Sequence, residues 1–146
     1  MNAQVNSIDP GFPTPQDLDA LLNAVLPFAE QTLSKYGEMF PFGAAISSDG
    51  QLEMLASGPE GGHPQSDVVL AGLYDGARAT SSTRRAFAFV ADVRANATDA
   101  VRVELEHKEG TAIVVLIPYS RSRLKKKVTF GQISGTASQP NVWRQG

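Results

Sequence analysis

The feature of the sequence that most constrains its fold is a regular alternation of side chains within residues 99–108. Val101, Val103, Leu105 and His107 alternate there with Arg102, Glu104, Glu106 and Lys108. A period of two predicts a β-strand with one dry face and one wet face. The nearly all-apolar residues 111–119 follow after Glu109 and Gly110, a pair typical of tight turns. We therefore predict an antiparallel hairpin, and with it an antiparallel sheet.

A two-residue turn at Glu109 and Gly110 fixes which side chains share a face. It places Leu105 opposite Val114 and puts a second apolar row on the other face, beside the charges of the first strand. That row consists of Ile113, Val115, Ile117 and Tyr119, and the charges beside it, Glu104 and Glu106 between Arg102 and Lys108, are typical of a solvated ladder. Monomers rarely expose such an apolar row, so we predict an interface there. The row is covered by a second copy in a two-fold homodimer, by another protein, or by a C-terminal tail anchored by Trp143.

Helical periodicity predicts two main helices. The first begins at Thr14 or Pro15 and ends just before Gly37, and Pro27 is expected to kink or divide it. The second begins near Ser66, a residue type that caps helix N-termini.

Short apolar segments predict the remaining strands. Asp49 and Gly50 tolerate the positive φ of a hairpin turn, so the segments on either side are predicted to form a first hairpin. The predicted strands outside the 99–119 hairpin are residues 41–48, 51–56 and 86–94 and, short and last, residues 127–133.

The element order α-β-β-α-β-β-β predicts the fold class α+β. We expect a single domain with a central antiparallel five- or six-stranded sheet and two main helices. A chain of 146 residues is long enough for one core to stabilise it. We assign residues 1–13 to a flexible N-terminal arm, residues 14–133 to the domain and residues 134–146 to a tail.

Two resemblances accompany this organisation. The element order over roughly residues 14–120 resembles the roadblock and profilin-like folds, whose sheets often dimerise. Residues 35–44, with residues 104–110 and 117–119, resemble an uncharacterised family of small bacterial proteins with a "GEFxPFGA"-like segment. This chain departs from that segment by having Met39 and Phe40 between Glu38 and Pro41. The second resemblance implies a bacterial, cytoplasmic, single-domain protein and supplies no catalytic residues.

Composition excludes several classes of protein. The chain has no cysteine, which excludes a disulfide framework, a thiol nucleophile and thiolate metal sites. Its longest charge-free apolar run, residues 110–120, is about half the length of a membrane span, and no signal peptide is recognisable. We therefore predict a cytoplasmic protein with no membrane partner.

The charges are distributed unevenly along the chain. All 15 acidic residues precede Gly110, whereas residues 121–127 carry five basic residues and no acidic one. This basic segment fits an anionic partner such as nucleic acid, or the acidic part of the same molecule or of a second subunit. Because Lys125, Lys126 and Lys127 are contiguous and no aromatic residues separate them, we predict that nucleic acid is not the partner.

Candidate chemical sites are few. His63 or His107 could bind a metal with nearby carboxylates, which would be Asp67, Glu104 and Glu106. Neighbouring residues of a strand project to opposite faces, so these groups do not converge, and we predict no metal and no cofactor. Neither a glycine-rich phosphate loop nor a nucleophile elbow is present, and we assign no catalytic residue.

The turn after the first helix is a weak candidate for ligand binding. The carboxylate of Glu38 could orient a small molecule between Tyr36 and Phe42. The alternative is structural, with Gly37 as a helix cap and both rings at the edge of the core. We predict a non-catalytic interaction or regulatory protein, such as a scaffold or toxin-neutralising protein. The alternative function is a small-molecule-binding protein or enzyme that uses this turn.

Overall fold

The structure, a computed structural model, describes residues 15–56 and 66–143. Within these ranges the helices are α1 (Gln16–Tyr36) and α2 (Ser66–Ala79). The strands are β1 (Phe42–Ser47), β2 (Leu52–Ala56), β3 (Arg84–Ala95), β4 (Thr98–His107), β5 (Ala112–Ser122), β6 (Lys127–Phe130) and β7 (Ser134–Ala137). A short 3-10 helix at Ser81–Thr83 precedes β3.

All seven strands form one antiparallel sheet. Its order is β2-β1-β3-β4-β5-β6, and β7 also pairs with β5. Besides β4, the long strand β5 has two further partners, because β7 pairs with residues 113–116 and β6 pairs with residues 119–122. The predicted α+β class, the single antiparallel sheet and the order of elements are therefore confirmed.

The two helices cover opposite faces of the sheet. Apolar side chains recur every three to four residues along α1, and this stripe packs on the face that includes Ala88 and Val103. Helix α2 packs on the other face, against Phe87 and Phe89 of β3. Consecutive side chains of β3 thus pack on opposite faces of the sheet, as the two-residue period of a strand requires.

The ends of α1 match the sequence signals. Pro15 immediately precedes the helix, and Gly37 ends it with a φ of +76° and an N–H that donates to the Leu33 carbonyl at 2.8 Å. A left-handed residue of this kind is the common end of a helix, and glycine adopts it without steric cost. Pro27 lies inside one continuous helix, so the predicted division does not occur.

The two hairpins predicted from the sequence, β1–β2 and β4–β5, each have a loop of three residues rather than two, and this corrects the predicted register of β5 on β4. In the β4–β5 loop the His107 N–H donates to the Thr111 carbonyl at 2.8 Å, and Gly110 has a φ of +112°. Leu105 consequently lies opposite Ile113 rather than Val114. A shift of one residue moves every side chain of β5 to the other face of the sheet.

Some predictions fall outside the described residues. These are the N-terminal arm of residues 1–13, Thr14 as the start of α1, the position of His63 and the end of the predicted tail at residues 144–146. Within the described residues, the region assigned to the tail begins with β7. In the same part of the chain, neither helix combines the length and the hydropathy needed to cross a membrane.

Candidate functional site

The predicted ligand-binding turn lies between α1 and β1 and contains an open groove. The groove has a volume of about 410 Å³ and a mostly apolar lining, formed by Thr32, Tyr36, Glu38, Met39 and Phe40. Phe42 is not part of it, because its ring is buried and packs edge-on against Phe28 with the centroids 4.8 Å apart. The structure therefore brings Tyr36 and Glu38 together and places Phe42 elsewhere. We call this feature the turn groove.

Arg121 closes the end of α1 beside the turn groove. Its guanidinium donates to the carbonyls of Leu33 at 2.9 Å and Ser34 at 3.0 Å. A cation complements the partial negative charge at a helix C-terminus. One residue of the basic segment thus has a structural partner within its own chain.

A partly buried carboxyl group lies near Glu38 on the α1 face of the sheet. Asp92 accepts a hydrogen bond from the Tyr119 hydroxyl at 2.6 Å. Burial raises the pKa of Asp92, the Tyr119 hydrogen bond opposes that shift, and the negative charges of Asp99 and Glu38 add to it. Burial and the Asp92 carboxylate also raise the pKa of Tyr119.

The residues predicted to form an interface lie under α1. Ile113, Val115 and Ile117 are buried in the same core as Val103 and Leu105. Tyr119 is partly buried against that core. The reason is the three-residue loop, which turns these side chains away from the face on which we expected them. The expected exposed row on β5 was therefore wrong.

Three of the exposed large apolar residues lie where α1 meets the edge of the sheet. Phe28, Leu52 and Met54 are 47%, 45% and 46% exposed. Phe28 lies over Phe42, which pairs with β2, and Met54 pairs with Ala44 on the same face. Helix α1 packs mainly over β1, β3, β4 and β6, so its cover does not extend across β2. We call Phe28, Leu52 and Met54 the α1–β2 surface.

On the other face, two carboxylates that we expected in a solvated ladder are buried. Glu106 accepts the backbone N–H groups of Asn141 at 2.6 Å, Val142 at 2.9 Å and Trp143 at 2.7 Å. Glu104 accepts the side-chain amide of Asn141 at 2.7 Å. The segment that covers them, residues 138–143, is called the C-terminal segment below.

Further polar contacts hold Glu104 in place. Its carboxylate accepts a hydrogen bond from the Tyr74 hydroxyl and pairs with Arg102 at 2.9 Å. Burial and Glu104 together raise the pKa of Tyr74. We call the space between α2 and β4 that holds the C-terminal segment the C-terminal groove.

Trp143 lies in the C-terminal groove and not on the β5 row where the sequence placed it. Its ring packs on Phe87 with the centroids 5.4 Å apart. Val142 packs against the same cluster, which includes Leu73 of α2. The chain's own C-terminal segment thus covers the face of the sheet that carries Glu104 and Glu106, whereas the predicted β5 row lies on the opposite face, under α1.

His107 belongs to a third polar cluster, at the start of α1. Asp17 accepts hydrogen bonds from Arg85 Nε and His107 Nε2, both at 2.9 Å. The Glu109 N–H donates to His107 Nδ1 at 3.2 Å, so the ring proton resides on Nε2. Both ring nitrogens of this buried histidine are therefore engaged within the protein. The arrangement provides no free base for a substrate.

Metal-ligating side chains do not gather in the part of the chain that the structure describes, where no three of them converge. The basic segment forms the hairpin between β5 and β6, and apart from Arg121 its cations are exposed. Leu124, at the end of this hairpin, is 94% exposed.

Sequence reasoning missed the α1–β2 surface and the C-terminal groove. The short, largely apolar segment 51–56 predicts strand β2, but it carries no sign that β2 lies at an edge. Asn141 and Val142 have no local pattern that connects them to Glu106, more than 30 residues earlier. Only Trp143, a large aromatic residue in a polar tail, signalled that this segment is anchored.

Comparisons of the chain with models of protein families, with curated proteins and with solved structures found no match. The turn groove, the α1–β2 surface and the C-terminal groove are therefore the features of this chain from which its function is inferred.

Proposed function

We propose that this protein is a non-catalytic interaction protein that forms a two-fold homodimer through the α1–β2 surface. The observation that carries the proposal is the exposure of Phe28, Leu52 and Met54, each of which leaves almost half of its surface in water. Contiguous apolar surface is uncommon on monomers unless a partner covers it.

The position of β2 supports the same proposal. Among the described strands β2 pairs only with β1, so alternate backbone N–H and C=O groups point away from the sheet. Natural edge strands often carry lysine or proline that prevents pairing, and β2 has neither. Antiparallel pairing of β2 with its copy about a two-fold axis satisfies these groups and continues the sheet.

Burial of the α1–β2 surface offsets much of the cost of forming a dimer. Complete burial of a large apolar side chain contributes roughly 1.5–3 kcal/mol, and each of these three is already about half buried, so the interface adds about half of that amount for each. A symmetric interface buries the α1–β2 surface of both subunits, so the three residues count twice and contribute about 4.5–9 kcal/mol in total. This sum lies in the lower part of the roughly 4–15 kcal/mol that association costs, and pairing of the β2 edges adds to it.

The polar clusters support a role without catalysis. His107 has both ring nitrogens bonded within the protein. The Glu106 carboxylate is occupied by backbone N–H groups, and Glu104 by side-chain donors. A general base needs a free lone pair within reach of substrate, and these groups do not offer one.

The setting and the biological role are part of the same proposal. The resemblance of residues 35–44 to small bacterial proteins favours the bacterial cytoplasm. A dimeric interaction protein suits a scaffold or a toxin-neutralising role, in which a second protein binds the dimer.

Sedimentation velocity over a concentration series tests the dimer. We expect the wild-type protein to sediment as a dimer at tens of micromolar and Met54→Lys as a monomer, because a charge in the interface is costly to bury. Leu124→Lys is the matched control, since it replaces a more exposed residue that lies outside the α1–β2 surface. This variant should remain dimeric.

Two results contradict the proposed dimer. One is a wild-type protein that is monomeric throughout the series. The other is a dimer that Met54→Lys and Leu52→Lys leave unchanged while both variants retain their circular dichroism spectrum.

The turn groove favours a second function, the binding of a small molecule. Its volume of about 410 Å³ is within the range of ligand sites, and Glu38 supplies a polar group in an apolar lining. Native mass spectrometry of the purified protein tests this function. A bound metabolite that is lost in Glu38→Ala supports it, and a ligand-free wild-type protein contradicts it.

A further inference from the structure

The contacts in the C-terminal groove are those of a site that reads a peptide sequence. Glu106 accepts three consecutive backbone N–H groups, which fixes the path of the bound segment independently of its side chains. Arg78 Nε donates to the backbone carbonyl of Asn141 at 2.8 Å, and Glu104 accepts the side-chain amide of Asn141. Asparagine is thus recognised through both its backbone and its side chain.

The groove recognises the next two residues of the C-terminal segment, Val142 and Trp143, through the shape of their side chains. Trp143 packs on Phe87, which stacks on Phe89 with the centroids 5.9 Å apart. Tyr74 meets Phe89 edge-on at 4.8 Å and extends this aromatic floor towards Glu104. Between the two specific positions, Val142 packs against the apolar cluster of the groove. The selected sequence is therefore asparagine, an aliphatic residue and tryptophan.

We propose that the C-terminal groove is a peptide-binding site. Its own C-terminal segment occupies it in cis, and a partner protein that displays an Asn–aliphatic–Trp sequence occupies it in trans. The groove lies on the face of the sheet opposite to the α1–β2 surface, so this proposal does not depend on the dimer.

The C-terminal segment can exchange without disruption of the sheet. Its last backbone bond to the neighbouring strand is the Ser138 N–H to the Ala112 carbonyl at 2.9 Å. Beyond that point the described contacts of residues 139–143 are with α2 and with the side chains of β3 and β4. When the segment leaves, water solvates the carboxylates of Glu104 and Glu106, so neither remains as an unpaired buried charge.

Competition between the two occupants determines how the site is tested. A tethered segment has an effective concentration on the order of millimolar, so a free peptide binds the wild-type protein weakly. Trp143→Ala removes the aromatic anchor of the cis segment and leaves the groove itself intact. Because Trp143 is the only tryptophan of the chain, this variant also makes the fluorescence of a bound tryptophan peptide easy to follow.

The probe is a synthetic peptide with the sequence of residues 137–143 and blocked ends. Its affinity is measured by fluorescence anisotropy for the full-length wild-type protein and for full-length Trp143→Ala. We expect Trp143→Ala to bind at least about tenfold more tightly, with a blue-shifted tryptophan emission, because the competing segment is weakened. The wild-type protein is the reference, because its own C-terminal segment occupies the groove.

Substitutions in the groove and in the peptide test the recognition. In the Trp143→Ala protein, a further Glu106→Gln change should weaken binding by about tenfold or more, since it removes a charged acceptor. Glu109→Gln is the matched control on the adjacent loop, where the carboxylate is 74% exposed, and it should have no effect. A peptide with alanine in place of its asparagine or its tryptophan should bind weakly.

Three outcomes overturn the proposal. If the folded Trp143→Ala protein does not bind the peptide at millimolar concentration, the groove is not a peptide-binding site. If the original and the alanine-substituted peptides bind with equal affinity, the groove does not recognise the peptide sequence. A dimer in which two copies exchange their C-terminal segments assigns the groove to a second copy of this chain and not to a partner protein. Asn141→Ala replaces Trp143→Ala as the weakened variant if the latter does not fold.

Discussion

Asp17 and His107 join the start of α1 to the end of β4 through a hydrogen bond of 2.9 Å. Arg85 completes the contact with two further hydrogen bonds to the same carboxylate, at 2.9 and 3.1 Å. Burial opposes the charged form of Asp17, but the hydrogen bonds from Arg85 and His107, together with the charge of Arg85, outweigh it and lower the pKa of Asp17. This cluster fixes the first turn of α1 against the sheet.

The first prediction concerns Asp17→Asn. An acid whose pKa is lower in the folded protein stabilises the fold above its unfolded pKa, and the contribution is lost as pH falls through the folded pKa. We expect Asp17→Asn to lower the free energy of unfolding at neutral pH by about 1.5–3 kcal/mol, the range for hydrogen bonds to charged groups. The difference from wild type should shrink below about pH 4, near the unfolded pKa of aspartate.

Urea denaturation at a series of pH values measures this difference. Asp75→Asn is the control, because Asp75 forms only an exposed i,i+3 pair with Arg78, and its effect should stay within about 0.5 kcal/mol at every pH. An Asp17→Asn effect that does not change with pH would contradict the role of the ionised carboxylate.

The second prediction concerns Asp92, whose contribution to stability changes with pH in the opposite direction to that of Asp17. Burial raises the pKa of Asp92, so this carboxyl group favours the fold when protonated, and that contribution is lost as pH rises through the folded pKa. Asp92→Asn mimics the protonated form and can still accept the Tyr119 hydrogen bond. We expect the variant to gain stability relative to wild type as the pH rises above about 4, where unfolded aspartate ionises.

The same urea series measures the effect of Asp92→Asn. Glu38→Gln provides a second check, because Glu38 contributes to the raised pKa of Asp92. It should weaken the pH dependence of the wild-type protein without abolishing it. A variant that loses stability relative to wild type as the pH rises would show that ionised Asp92 supports the fold.

The strand pattern could be predicted from the sequence, but the register of β5 could not. Alternation placed Val101, Val103 and Leu105 on one face, and all three are buried together under α1. Residues 112–117 are apolar at every position, so either register gives β5 an apolar face. The residues Glu109 and Gly110 occur in two-residue and three-residue loops alike, and hydrogen bonds across the loop distinguish them.

The candidate surfaces depend on contacts between distant residues. The burial of Glu106 depends on backbone N–H groups of residues 141–143, which no local pattern connects to β4. The exposure of Met54 depends on how far α1 extends across the sheet. Local propensity and periodicity therefore predict the elements, while the free surface emerges only when the elements pack.

The third prediction tests the register directly by comparing Ile113→Ala with Leu116→Ala. Ile113 is fully buried under α1, whereas Leu116 is partly exposed on the other face. We expect Ile113→Ala to lower the free energy of unfolding by about 2–5 kcal/mol because it leaves a cavity in the core. Leu116→Ala removes a similar volume and should have at most about half that effect. The reverse order would support the two-residue turn.

The fourth prediction compares the same substitution at two glycines with open space around them. Gly110 has a φ of +112° in the β4–β5 loop, whereas Gly76 lies inside α2, and a Cβ at either position meets no atom within 4 Å. Only backbone conformation therefore separates them. Gly110→Ala should destabilise the protein by about 1–3 kcal/mol, because alanine is strained at positive φ. Gly76→Ala should stabilise it by about 0.5–1 kcal/mol through helix propensity and reduced freedom of the unfolded chain. Thermal unfolding measures both shifts, and a tolerated alanine at position 110 would contradict the three-residue loop on which the buried register of β5 depends.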